Sequence, residues 1–245
     1  MFFSDRKLIV SLVFLGALLC KPAFSNMLVY PMETSVGRSG STQIKIASQS
    51  NDVLFVKVLV KRIVDPGTQS EKEVIADMNA SDALIVTPQK LAITAGNERI
   101  VRLITLSLPE KETAWRVYFE AVSENEFNDM PSVEKNAGRT ADVGVNIVWG
   151  ALVHVPPEHE GVSVMFNPET KTLLNAGTLR VPLREVATCV SESHCRWTKE
   201  TATLYPGAEL TLKSLSVVPG ATYRIRYNNW LSDRIEEIKT PSIAQ

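Results

Sequence analysis

Short runs of β-branched and aromatic residues recur between turn signals along this chain, and they constrain its fold more than any other feature. TQIKIAS, VLFVKVLVKRIV, ALIVTP, RIVRLITL, WRVYFEAV and VGVNIVWGALVHV follow one another, with no long helical periodicity beyond the N-terminal apolar stretch. Such residues fit a pleated, half-buried surface, and many short strands punctuated by turns predict antiparallel sandwiches. A second set of runs (GVSVMF, TLLNAG, TLRVPLREVATC, AELTLKSLSVV, TYRIRYNNW) follows Pro156-Pro157 and EHEG, the best boundary candidate. The expected fold class is all-β, with one domain over residues 26–156 and a second over 157–245. A chain of 245 residues can bury one large core or two small ones.

Residues 1–25 read as a cleavable signal peptide. Arg6 and Lys7 precede an apolar stretch from Leu8 to Cys20, and Ala23 and Ser25 supply the small residues that signal peptidase needs. The stretch is too short to anchor in a bilayer. Acylation of Cys20 is a rival reading, but Leu19 stands where a small residue is expected. The mature chain is expected to start at Asn26 and to work in the periplasm. Lys and Arg number 26 against 27 Asp and Glu, and loss of the leader (Arg6, Lys7, Lys21, Asp5) makes the balance more acidic. That balance argues against general binding to nucleic acid or anionic membranes, and no membrane insertion is expected. Cys189 and Cys195, six apart in CVSESHC, are well placed in an exported protein to bridge a hairpin. A metal site is the rival: His194 is adjacent, but no second ligand pair follows.

Nothing in the sequence supports catalysis or a cofactor. His154, His159 and His194 are scattered and lack helical i,i+4 spacing. GRSGS at 37–41 lacks a P-loop lysine and reads as a turn between strands. GxSxG is absent, and the pair Glu236-Glu237 reads as solvated charge.

Two segments raise sharper questions. In WRVYF, Trp115, Val117 and Phe119 share the strand face that a core should claim, while Arg116, Tyr118 and Glu120 share the other. Arg116 therefore awaits an anion, either a ligand's carboxylate or a surface acid such as Glu120. In ADVGVNIVWGALVHV (141–155), Val143, Val145 and Ile147 alternate with small or polar residues. They form either a half-buried strand of the first sandwich or an edge strand lent to a partner.

At this point the chain resembles a known family, the periplasmic pilus-assembly chaperones of the PapD-like superfamily. It is most similar to the alternate branch serving class 5 colonization-factor fimbriae, the CfaA type. The resemblance rests on an ordered set: MLVYP (27–31), VKRIVDPGTQSEKEV (60–74), VTPQKLAITAGNERIVRL (86–103), WRVYFEAV (115–122) and VNIVWGALV (145–153). LLNAGTLRV (173–181) and the two-cysteine hairpin follow in the second domain.

The resemblance implies two immunoglobulin-like domains arranged as a boomerang. Such a chaperone binds pilin subunits, both major pilin and tip adhesin, lends each a strand for its open groove, and delivers it to an outer-membrane usher without ATP. The donated residues here are Val143, Val145 and Ile147. Arg102 and Glu112 stand where the family has a structural ion pair. Most members hold the subunit's C-terminal carboxylate with an arginine and a lysine, but here those positions are Met27 and Gly150 or Ala151. Arg116 is the expected replacement, with Thr140 adding a hydroxyl. The competing expectation is an exported structural or adhesive pilus component. It is disfavoured because MLVYP follows the leader at once, with no N-terminal extension.

Overall fold

A computed structural model describes residues 26–130, apart from Met78, and residues 147–241. The expected signal peptide, Thr140, Val143 and Val145 lie outside the described residues.

Among the described residues, ten strands come first: β1 (Met27–Tyr30), β2 (Glu33–Ser35), β3 (Ser41–Ser48), β4 (Leu54–Val64), β5 (Lys72–Ile75), β6 (Leu84–Thr87), β7 (Lys90–Ile93), β8 (Glu98–Thr105), β9 (Thr113–Val122) and β10 (Val148–Val155). One sheet has the order β1-β3-β8-β6. The facing sheet runs β2-β10-β9-β4-β5, with β7 also on β4. Alternation drives the packing. On β9 the odd-numbered Trp115, Val117 and Phe119 are buried, and they meet Val56, Val60, Ile44, Ile46, Val101 and Leu103 in one apolar core. Each fully buried side chain of this kind contributes about 1.5–3 kcal/mol. GRSGS forms the turn between β2 and β3, where Gly40 at φ +73 adopts a backbone that side chains disfavour.

Eight strands follow: β11 (Val164–Asn167), β12 (Thr172–Asn175), β13 (Val181–Cys189), β14 (Cys195–Lys199), β15 (Thr203–Leu204), β16 (Glu209–Thr211), β17 (Thr222–Asn229) and β18 (Arg234–Thr240). They form a β11-β12-β16 sheet and a β14-β13-β17-β18 sheet, with β15 also on β13. Between them lies a second core built on Phe166, Leu173, Ile225 and Tyr227. The protein is thus a two-domain β-sandwich. Cys189 and Cys195 are joined in a disulfide across the β13–β14 hairpin.

One end of β9 is apolar on both faces because the second sandwich covers it. Ala114 and its neighbour on β4, Ile63, pack against Tyr205, with Leu152 and Ala208 alongside. Backbone bonds from Glu112 N–H to the Thr178 carbonyl (2.8 Å) and from Glu158 N–H to the Pro109 carbonyl (2.9 Å) tie the same region.

Candidate functional site

The outer face of the β10-β9-β4-β5 sheet leaves this joint as a row of polar side chains. Ala114 is buried under the second domain, so Arg116, two residues along the same face, lies about 7 Å from it. Register sets Arg116 beside Leu152 on β10 and Lys61 on β4, and Tyr118 beside Gly150 and Leu59. The hairpin of β4 and β5 adds Glu73 to this face. Arg116 Nε donates to Glu73 Oε1 at 3.2 Å. The Tyr118 hydroxyl lies 2.8 and 2.7 Å from the two Glu73 oxygens. Lys61 Nζ sits 3.5 Å from Glu73 Oε2 and 5.1 Å from the centre of the Tyr118 ring.

Burial pushes the Glu73 carboxyl up, but the Tyr118 hydroxyl, Lys61 and Arg116 together outweigh it and hold it below the usual carboxylate range. Burial, then the bond to Glu73, pushes the Tyr118 hydroxyl up. Lys61, Arg116 and Glu73 together carry one net positive charge. The anion beside Arg116 in the free protein is therefore Glu73, not Glu120, which lies farther along β9 opposite Val148 and Lys57. Sequence reading missed Lys61, Glu73 and Tyr118 as a unit. The signal was present in VKRIVDPGTQSEKEV: Pro66-Gly67 marks a hairpin turn, and pairing around it brings Lys61 and Glu73 together.

Gly150 explains why a cationic side chain is missing from β10. A Cβ there would stand 3.0 Å from Arg116 Cδ and 3.0 Å from Tyr118 Cε1, so the absent side chain is the space these two occupy. Ala151 is fully buried on the core face, which leaves Gly150 as the outward position of the pair. Met27 points into the core.

The expected ion pair between Arg102 and Glu112 is not formed. Arg102 is exposed on β8, in the other sheet, opposite Gln43 and Thr87. Glu112 precedes β9 at the joint, where its fully buried carboxylate pairs with the Arg180 guanidinium and accepts the Arg180 backbone N–H at 2.8 Å. Arg180 also stacks over the Trp230 ring at 4.6 Å. His154, fully buried, places Nε2 3.1 Å from Glu33 Oε1 and Nδ1 3.5 Å from Glu112 Oε1. The Tyr205 ring lies alongside, its hydroxyl pushed up to about 12 chiefly by burial. Glu112 is thus a link between the domains.

His159 and His194 are exposed. Among the described residues no group of three His, Cys, Asp or Glu could hold a metal ion, and no helix is long and apolar enough to cross a membrane. Glu236 and Glu237 are more than solvated charge: Glu236 accepts from the Tyr227 hydroxyl at 2.6 Å, and Glu237 pairs with Arg224 and Arg226.

No protein-family model matches the chain. It is 30% identical over 187 residues to a CFA/I fimbrial subunit of Escherichia coli, spanning 74% of this chain and 77% of that protein. It is also 30% identical over 211 residues to a CS1 fimbrial subunit of Escherichia coli, spanning 83% and 85%. The solved structure of the class 5 fimbriae chaperone CfaA superposes with a TM-score of 0.73 at 25% identity, over 90% of this chain and 100% of that one. A chain from a chaperone–tip adhesin complex of CFA/I fimbriae biogenesis shares the fold, with a TM-score of 0.70 at 24% identity over 88% and 99%. The chain belongs to the family of the class 5 fimbrial chaperones.

Proposed function

We propose that this protein is a periplasmic, non-enzymatic chaperone that holds fimbrial subunits by lending them a strand and passes them to an outer-membrane usher. One observation carries the reading. On β10 the core-facing row Val155, Val153 and Ala151 runs out through Trp149 to Ile147, which is 47% exposed where the described sandwich ends. The same alternation continues in sequence as Val145 and Val143. On this reading Val145 and Val143 continue the row that fills the chaperone's own core and enter a subunit's groove. Pairing with β2 covers only Leu152 to His154, so among the described residues Val148 to Ala151 have a strand neighbour on the β9 side alone. That edge offers the main-chain groups an incoming subunit strand needs. Three aliphatic side chains at about 1.5–3 kcal/mol each supply binding without chemistry.

Arg116 anchors the subunit's C-terminal carboxylate, with Thr140 adding a hydroxyl, and the anchor decides which groove pockets Val143, Val145 and Ile147 enter. The cationic surplus beside Gly150 supports this assignment. Co-expression with a class 5 pilin subunit, followed by affinity purification from periplasm, tests it. Wild type should retain the subunit, Arg116→Ala should lose it, and Arg116→Lys should recover part, because lysine lacks the bidentate fork. Capture by Arg116→Ala at the wild-type level would move the anchor elsewhere.

A further inference from the structure

We infer that Glu73 is a positioning residue for this anchor: with Tyr118 and Gly150 it frames Arg116 so that its two terminal nitrogens meet a carboxylate end-on. The inference rests on the reading that Arg116 binds the subunit's C-terminus. A guanidinium can grip a carboxylate along its Nε edge or across its two terminal nitrogens. In this protein Glu73 holds the Nε edge at 3.2 Å, and Arg116 makes no other hydrogen bond among the described residues. Glu73 is itself fixed from a second side by the Tyr118 hydroxyl at 2.7 and 2.8 Å. On the third side, Gly150 leaves the gap in which Arg116 Cδ and the Tyr118 ring lie, each 3.0 Å from where a Cβ would stand.

Charge supports the same division of labour. Glu73 answers one of the two cations, Lys61 and Arg116, and leaves a single positive charge for a single incoming carboxylate. A pilin can therefore dock without expelling Glu73. The opposite arrangement, in which Glu73 occupies the pilin carboxylate's place and must be displaced, predicts an effect of opposite sign.

The experiment uses the full chaperone co-expressed with a class 5 pilin subunit carrying its native C-terminus, or the same subunit extended by one glycine. The readout is the ratio of the two captured yields. Wild type should favour the native end at least tenfold. Glu73→Ala, folded by circular dichroism, should lower that ratio several-fold, and Glu73→Gln should restore part of it by keeping an acceptor for Arg116 and Tyr118. Gly150→Val should lower the ratio as Glu73→Ala does. Increased capture by Glu73→Ala would make Glu73 a competitor, and an unchanged ratio would make it bystander scaffold; either overturns the inference. Should Glu73→Ala misfold, Tyr118→Phe, which loosens Glu73 by one hydrogen bond, must lower the ratio or the inference falls. Failure of the underlying reading shows separately, as an unchanged ratio in Arg116→Ala.

Discussion

His154 sits buried at the domain joint with a carboxylate facing each ring nitrogen, and only one of those contacts is a hydrogen bond. The bond to Glu33 requires the proton on Nε2, which leaves a bare Nδ1 lone pair facing Glu112 without a hydrogen-bond partner. Burial lowers the proton affinity of the imidazole first. Arg180 acts the same way, while Glu33 and Glu112 act against it, and the balance lies below the ordinary histidine value. A folded-state value below the unfolded one means that the unfolded chain binds the extra proton. Stability is then complete above the unfolded value of about 6.5 and falls as pH drops below it toward the folded value. Urea midpoints should therefore decline from pH 7.5 to 5.5 in wild type, and the decline should be shallower in His154→Gln. Equal slopes would remove His154 as the cause. Glu112 makes a second residue-scale prediction. Glu112→Gln leaves Arg180 buried without its counter-charge and should cost about 3–5 kcal/mol in urea unfolding. Arg102→Ala, on an exposed site, should stay within about 0.5 kcal/mol. At this scale the sequence was half legible. The outward direction of Arg116 followed from strand alternation, but its partner Glu73 and Glu112's partner Arg180 depend on register and on domain docking, which local pattern does not encode.

Among the elements, the longer strands were the legible ones. TQIKIAS, VLFVKVLVKRIV, RIVRLITL and WRVYFEAV correspond to β3, β4, β8 and β9, because each packs a period-two apolar face into a core. β5 (KEVI) escaped because an edge strand pairs on one side only and keeps just a few apolar residues, here the exposed Val74 and Ile75. The short helix α1 (Glu124–Phe127) also escaped, although Ser123 and Glu126 form a capping box that sequence can reveal. The β13–β14 hairpin carries its own prediction. The disulfide closes a short loop, so replacing Cys189 and Cys195 with serine should destabilise the second domain by about 2–3 kcal/mol on the chain-entropy estimate. Intact mass should show no free thiol in the periplasmic protein, and urea unfolding of the double variant should show the loss. A midpoint equal to wild type would mean that β13–β14 pairing needs no staple.

For the whole molecule, the order of the strand runs and the Pro156-Pro157 gap made a two-sandwich architecture legible, while the joint itself was not. Its members, Ile63, Ala114, Glu112, His154, Arg180 and Tyr205, come from both sandwiches and from separate strands and turns, and none stands out in its own segment. That joint puts the second domain against one end of the Arg116 face, while β10 runs out of the first core toward Ile147. On the proposed function, the continuation of β10 is a strand for another protein's core. The most direct measurement is Val145→Asp, with pilin capture and circular dichroism taken on one periplasmic preparation. The expected result is a protein with the wild-type spectrum and melting curve that captures no pilin, because an unpaired charge cannot enter an apolar groove. A misfolded variant would place Val145 in the chaperone's own core, and a folded variant that still captured pilin would contradict strand donation.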